Sequence, residues 1–380
     1  PFCVKKCQYC DFLSAPAPES AIQAYLDQAM REIRAVSRQY TAYQVKTVFI
    51  GGGTPSILTP SQTQRLLEQL DQSFCIAPGA EVTIECNPGT LDAAKLRAYQ
   101  NGGINRLSMG LQSAQEEELR LLGRIHTFRE FQSNYALARS MGFENINVDL
   151  MAALPGQKAD TYARSLEKVI ALAPEHISAY SLIIEEGTPF FERYAEADRL
   201  RAKGKSQQLL PCEEEERNMY QLTKELLLQA GYHRYEISNY ALDGFACRHN
   251  TGYWKRKNYL GIGLGAASMV KNLRFSNTSD LYKYLKADFK NNKNAYTDIY
   301  QLKINEQMEE FMFLGLRMTQ GISAKDFQNQ FHKDIEEIYG QVLNKHLNEK
   351  LINKTASGFC LTEFGTDVSN YVMAEYLLDA

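Results

Sequence analysis

Val45-Lys-Thr-Val-Phe-Ile50-Gly51-Gly52-Gly53-Thr54-Pro55 is a β-branched and aromatic run stopped by three glycines. Its length, bulky side chains and glycine stop predict a buried strand over 45–50 that runs into a loop with exposed backbone. Helices are predicted on both sides. One covers 20–39, where Ile22, Leu26, Ala29, Ile33 and Val36 recur at helical spacing, and the other covers roughly 60–73. The alternation continues with strands over 82–85, 104–109, 145–151 and 176–184, separated by helical stretches over 90–101, up to 141, and 159–172. Repeated strand–helix units imply an α/β fold, a parallel sheet with helices packed outside it. The chain opens at Pro1 with no Met, so a fragment is expected, with a sixth strand ending at Pro1-Phe2 and lying mostly upstream. Gly51 to Thr54, Glu85, Gln112 and Asp149 fall near the ends of four different strands. In α/β barrels that edge carries the active site, because the loops there converge on one mouth.

The composition is that of an ordinary globular protein: 380 residues, 44% hydrophobic, 23% charged, net charge −3. No apolar run is long enough to span a membrane, and no concentrated basic face suggests a nucleic-acid partner. Arg199, Arg201, Lys203 and Lys205 read as a solvated loop, and the acidic run Glu213 to Glu216 as the start of a helix, where negative charge suits the dipole. Three of the eight cysteines crowd into the first ten residues; the rest are scattered, which predicts a reducing, cytoplasmic setting over a disulfide framework. Beyond residue 240 the pattern changes. A loop-rich connection is expected over 241–300, followed by a small, mostly helical C-terminal domain over 301–380. Helices are predicted there over 305–320, 323–332, 335–351 and 362–378, with a short strand at Phe359-Cys360-Leu361. Gly261-x-Gly263-x-Gly265 resembles a dinucleotide fingerprint only superficially, since no strand–helix unit with a downstream acidic residue follows.

Cys3-Val-Lys-Lys-Cys7-Gln-Tyr-Cys10 has the spacing Cys-x3-Cys-x2-Cys. A four-iron cluster normally takes one thiolate per iron, so three thiolates leave one iron open. An open iron can chelate the amino and carboxylate groups of S-adenosylmethionine, and an electron from the cluster can then cleave the sulfonium C–S bond. Structural zinc would want four ligands, usually as two separated pairs, and no second pair follows. Glycines after the next strand would let the backbone approach the methionine head group.

The cysteine spacing and the glycine string together resemble the radical-SAM superfamily, whose core is a partial (β/α)6 barrel, here assigned to residues 1–240. Within it the chain is similar to the coproporphyrinogen dehydrogenase-like family, through stretches spread over most of its length: PFCVKKCQYCDF, FIGGGTPS, IECNPGT, NRLSMGLQS, LLGRIHT, NVDLMAALPGQ, ISAYSLIIEEGTPF, YEISNYA, RHNTGYW, YLGIGLGAAS and FMFLGLRMTQGI. The resemblance implies that Cys3, Cys7 and Cys10 hold a [4Fe–4S] cluster and that Gly52, Gly53 and Thr54 cradle the methionine end of S-adenosylmethionine. It implies that Glu85 binds the nucleoside or methionine portion, that Gln112, Arg124 and Asp149 line the same pocket, and that Ile183 and Ala267 meet the adenine. A tyrosine that the family places six residues before its first cysteine would fall ahead of Pro1, which predicts weakened S-adenosylmethionine binding.

Two branches of that family differ in class. Oxygen-independent coproporphyrinogen III dehydrogenases decarboxylate a porphyrinogen and carry a fourth cysteine, as Cys-x-Cys; this chain has Cys10-Asp-Phe12. Haem chaperones carry a His-Asn-x-x-Tyr-Trp motif, which here is His249-Asn250-Thr-Gly-Tyr253-Trp254, with the only Trp of the chain. Both features imply the chaperone branch, a carrier that binds haem and hands it to recipient proteins, respiratory enzymes among the candidates. Imidazole is a common axial ligand of haem iron, and Tyr and Trp can lie against a porphyrin face. Cys247 is an alternative thiolate ligand.

Overall fold

A computed structural model describes residues 1–205, 207–291 and 295–378. Five parallel strands follow one another in chain order: β1 (Gln44–Ile50), β2 (Cys75–Cys86), β3 (Arg106–Gln112), β4 (Ile146–Ala152) and β5 (His176–Ser181). The seven-stranded sheet is completed by β6 (His233–Glu236) and β7 (Asn239–Ala241), in the order β1-β2-β3-β4-β5-β7-β6, and curls into a half-barrel. The α/β architecture is as expected, but the far edge differs. β7 runs antiparallel to both β5 and β6, so a hairpin and not a further strand–helix unit closes that side. Nor does Phe2 belong to a strand of this sheet. It makes one isolated bridge to Ala15 and accepts a hydrogen bond from Thr54 N, just past the end of β1.

Alternation along each strand decides the two faces. Val82, Ile84, Leu107, Met109, Leu111, Ile146, Val148, Leu150 and Ile177 face outward and pack under the helices with Leu96, Phe131 and Leu166. The opposite positions, Glu81, Thr83 and Glu85 on β2, Arg106 and Ser108 on β3, Asn147 and Asp149 on β4, line the concave interior. The helices between strands start at side-chain caps that the sequence supplies. Thr59 with Gln62 and Thr127 with Glu130 form capping boxes, Asp92 accepts from Lys95 N, and Thr188 accepts from Phe191 N ahead of Pro189.

Several expectations fail in instructive ways. Arg199 and Arg201 lie in a helix, Pro189–Ala202, and Arg201 pairs with Asp198 and Glu216. The capped Pro start and these ion pairs hold what charge content alone suggested was loop. Glu213 does begin a helix, Glu213–Gln229. Residues 241–300 combine turns and loops with regular elements that the sequence did not show. They contain the helices Arg248–Trp254 and Leu281–Lys286 and an antiparallel sheet of β8 (Ala267–Val270), β9 (Leu273–Asn277) and β10 (Tyr296–Gln301). These strands are short, and β10 joins β9 only after the helix Leu281–Lys286, so they leave no long periodic pattern. The glycine-spaced stretch ahead of β8 binds the first helix, Glu19–Val36: Gly263 N donates to the buried Glu32 carboxylate and Leu264 N to the Tyr25 hydroxyl. Glu32 also receives Tyr284 and Asn277, which explains the glycines as close backbone approach without a nucleotide.

The C-terminal region has its own core, centred on Met308, Met312, Phe327, Tyr339, Leu343 and Tyr376. Its helices Ile304–Gly315, Ala324–Phe331 and Ile335–Asn348 pack with a small sheet of β11 (Ile322–Ser323), β12 (Ile352–Lys354) and β13 (Gly358–Leu361). The single last helix expected over 362–378 is two short ones, Glu363–Asp367 and Ser369–Ala374, although Thr362 caps the first as expected. Glu310, on the first of the helices, accepts from Arg256 (3.0 Å) and Arg274 (2.7 Å), tying this region to the segment before it.

Candidate functional site: the rim of the half-barrel

The loop after β1 folds back over the cysteine loop. A Cβ on Gly51 would sit 2.8 Å from the Glu85 carboxyl carbon, and one on Gly53 would sit 2.7 Å from the Phe2 carbonyl oxygen. Gly52 has φ +117°, a conformation open to glycine. The glycines therefore let two things approach the backbone: the Glu85 carboxylate, which accepts from Gly52 N at 3.0 Å, and the residue immediately before Cys3.

Cys3, Cys7 and Cys10 are free thiols, each partly exposed. Two of them already accept hydrogen bonds from residues assigned to the site: Thr54 Oγ1 donates to Cys3 Sγ at 3.2 Å, and Arg124 Nη1 to Cys7 Sγ at 3.6 Å. Among the described residues no three His, Cys, Asp or Glu side chains converge as a single-ion site would require. In a cubane each thiolate takes its own iron, so spaced thiols on one loop fit a four-iron cluster. Such a cluster, when present, supplies the electron that S-adenosylmethionine cleavage needs.

The remaining residues assigned from the sequence divide into two places. Glu85, Gln112, Arg124 and Asp149 gather at the C-terminal rim, with Thr54. Gln112 ends β3 with φ 73°, an uncommon conformation for a non-glycine residue, and its Oε1 accepts from the Tyr180 hydroxyl at 3.2 Å. Asp149 Oδ1 accepts from Asn147 Nδ2 at 2.7 Å; burial raises its pKa, partly offset by hydrogen bonds from Asn147 and Ser178. Ile183 lies exposed just past β5, and Ala267 is exposed at the start of β8.

Glu85 is raised to about 7, first by burial and further by the Asp149 charge, with the Gly52 N–H opposing. An acid whose pKa is raised on folding favours the protonated protein. Its contribution to stability is therefore fully present below its unfolded value and is lost as pH rises through about 7. In thermal unfolding of the cluster-free protein, the wild type should lose stability relative to Glu85→Gln as pH rises from 4.5 towards about 7, most steeply between those two values, and level off above them. A pH-independent difference between the two proteins would contradict this.

The His-Asn-x-x-Tyr-Trp motif lies elsewhere, on the helix Arg248–Trp254 and not in a loop. The Glu81 carboxylate, from the lower part of β2, accepts from His249 N (2.9 Å), Arg248 N (3.0 Å) and Cys247 Sγ (3.6 Å). The His249 ring stacks on Phe49 with centroids 5.1 Å apart, and both of its nitrogens are engaged: Nδ1 with Thr47 Oγ1 and Nε2 with Tyr253 OH, each at 2.9 Å. Burial lowers its pKa, so the ring is neutral. Thr47 is five residues along the strand from Gly52, roughly 15 Å, so the motif contacts the inner wall below the rim. Asn250 sits half-buried on the same helix, and Arg317 of the C-terminal region lies over the Trp254 ring, 4.3 Å from its centroid. Cys247 is fully buried, and burial raises its thiol pKa, which disfavours the thiolate an iron would need.

Sequence reading missed three participants. Asn87 bridges Thr54 and Arg124, Tyr180 bonds Gln112, and Glu81 holds the His249 helix. Asn87 stands inside the IECNPGT stretch and Tyr180 inside ISAYSLIIEEGTPF, so a signal was present for both; Glu81 carried none until the strand register placed it inside.

A three-cysteine loop at the C-terminal rim of a curled parallel sheet defines a radical S-adenosylmethionine protein. Residues 1–169 match the radical SAM superfamily and residues 302–368 the HemN C-terminal domain. The Heme chaperone HemW of Lactococcus lactis is 34% identical over 379 residues, covering 100% of this chain and 96% of that protein. The Heme chaperone HemW of Bacillus subtilis is 34% identical over 381 residues, covering 99% and 97%. Among solved structures, coproporphyrinogen III oxidase (HemN) from Escherichia coli, a radical SAM enzyme, superposes with a TM-score of 0.83 at 22% identity, over 99% of this chain and 88% of that one, a likeness of fold. The chain belongs to the HemW family of radical SAM proteins.

Proposed function

We propose that this protein is a haem chaperone that binds haem, carries a [4Fe–4S] cluster with S-adenosylmethionine at the rim of its half-barrel, and delivers haem to recipient proteins. The observation that carries this reading is full-length similarity to two haem chaperones, at 34% identity, in a chain with Phe12 where the dehydrogenase pattern has a fourth cysteine. In this reading Cys3, Cys7 and Cys10 hold the cluster. Gly52, Gly53 and Thr54 cradle the methionine end of S-adenosylmethionine, Glu85, Gln112, Arg124 and Asp149 bind its polar groups, and Ile183 and Ala267 meet the adenine. The three segments 1–240, 241–300 and 301–380 act as barrel, connector and cover, in a cytoplasmic protein whose recipients include respiratory enzymes.

Haem contact is assigned to His249, Asn250, Tyr253 and Trp254. Because both His249 nitrogens are already paired, iron ligation requires one of those hydrogen bonds to break. The Tyr253 bond is the one whose loss frees Nε2. The test is an anaerobic haem titration of the reconstituted protein, wild type beside His249→Ala, followed at the Soret band. Saturable binding near one haem per chain, with a band altered by the substitution, is expected. An absence of binding by the wild type would sink the chaperone reading, and binding unchanged in His249→Ala would move the ligand elsewhere.

A further inference from the structure

Asn87 follows β2 and lies between two side chains that reach the cluster cysteines. Its Nδ2 donates to Thr54 Oγ1 at 2.9 Å, and its Oδ1 accepts from Arg124 Nη2 at 2.6 Å. Thr54 in turn donates to Cys3 Sγ and Arg124 to Cys7 Sγ. The polarity of this chain is forced. A guanidinium can only donate, so Asn87 must turn its carbonyl oxygen to Arg124 and its amide nitrogen to Thr54. The Thr54 oxygen then accepts, and its one proton is directed at Cys3. Arg124 is further fixed by a hydrogen bond to the Gly110 carbonyl, and Asn87 N donates to Ser56 Oγ at 3.0 Å, so the relay is anchored at its centre and at its arginine arm. Cys7, Thr54, Asn87 and Arg124 also line one small cavity beside the cysteine loop.

We infer that Asn87 is the positioning residue that aims Thr54 and Arg124 at two of the three cluster thiolates and so raises the reduction potential of the cluster. Hydrogen bonds to the sulfurs of an iron–sulfur cluster stabilise its more negative, reduced form, and such outer-sphere partners tune the metal through its ligands. The inference rests on Cys3, Cys7 and Cys10 holding a four-iron cluster. It does not depend on haem binding, so the titration above can fail without touching it.

The test is a redox titration of the reconstituted full chain without haem, read by electron paramagnetic resonance on samples of matched iron and sulfide content. Asn87→Ala removes the relay without adding charge. Asn87→Asp keeps the size and the Arg124 contact but can only accept, so the Thr54 hydroxyl must turn its proton away from Cys3. Both variants should shift the cluster to more negative potential, Asn87→Asp further because it also brings a negative charge. Thr54→Val should shift it in the same direction, and the double variant Thr54→Val/Asn87→Ala should shift it by less than the sum of the two, because both act on one hydrogen bond. Wild-type potentials in Asn87→Ala and Asn87→Asp at full cluster occupancy would overturn the inference. Lowered thermal stability or cluster content with an unmoved potential would overturn it as well, and would make Asn87 merely structural. If neither variant takes up a cluster while its secondary structure is intact, Asn87 is a determinant of assembly and the tuning role is wrong.

Discussion

Cys7→Ala should give a folded protein that assembles no four-iron cluster. The thiol is partly exposed and belongs to none of the hydrophobic cores, so its loss removes little packing. The cysteine loop keeps its other anchors, including the backbone bond from Gln8 N to Leu122 O at 2.9 Å. Two thiolates cannot hold three irons of a cubane, so the loss should be all or none and not a modest weakening. Cys3→Ala and Cys10→Ala should behave alike. The measurement is iron and sulfide content with visible absorbance after anaerobic reconstitution, beside circular dichroism to show that the fold persists. Undiminished cluster absorbance in any of the three would overturn the assignment of the ligands.

Gly53→Ala should also cost the cluster, by a steric route. The new methyl would sit 2.7 Å from Phe2 O, 2.9 Å from Phe2 N and 3.0 Å from Ser14 Cβ. Phe2 cannot simply move aside, because it is buried against Ile22, Leu26 and Leu58 and accepts the Thr54 N–H at 2.8 Å. Overpacking of this kind costs about 1–3 kcal/mol. The strain falls on the residue before Cys3 and the one that donates to Cys3 Sγ, so cluster content should drop well below wild type even where the protein still folds. Gly52→Ala is the contrast. Nothing lies within 4 Å of its Cβ, and the cost there comes from φ +117° alone. Equal cluster content in Gly53→Ala and wild type would show that the cysteine loop does not depend on this close approach.

Much of the rim was legible because its signals are local. Three cysteines within eight positions and a strand ended by glycines act over a few residues, and the strand Gln44–Ile50 runs into its glycines where the spacing predicts. The antiparallel hairpin of β6 and β7 carries no such signal. Strands of four and three residues are too short for periodicity to distinguish, and their direction is set by pairing with β5, more than fifty residues earlier in the chain. The same holds for β8 to β10, read from the sequence as loop. Arg199 and Arg201 misled for another reason: charge predicts a solvated loop, which holds for the exposed Lys203 and Lys205, but a Thr-Pro start and the pairing of Arg201 with Glu216 extend the helix through Ala202.

The sequence by itself determined which residues can ligate iron, which loop can approach a ligand, and the alternation that makes the first five strands of the sheet parallel. These follow from side-chain chemistry and short-range backbone preference. Only the tertiary structure decided which polar groups meet. The Asn87 relay joins positions 3, 54, 87 and 124, and the His249 helix is held by Glu81 and Thr47 from two strands at the other end of the barrel sequence. Such contacts depend on strand register, where a shift of one residue turns every side chain to the opposite face. That is why a histidine that looked free for iron in the sequence proves to have both ring nitrogens paired in the fold.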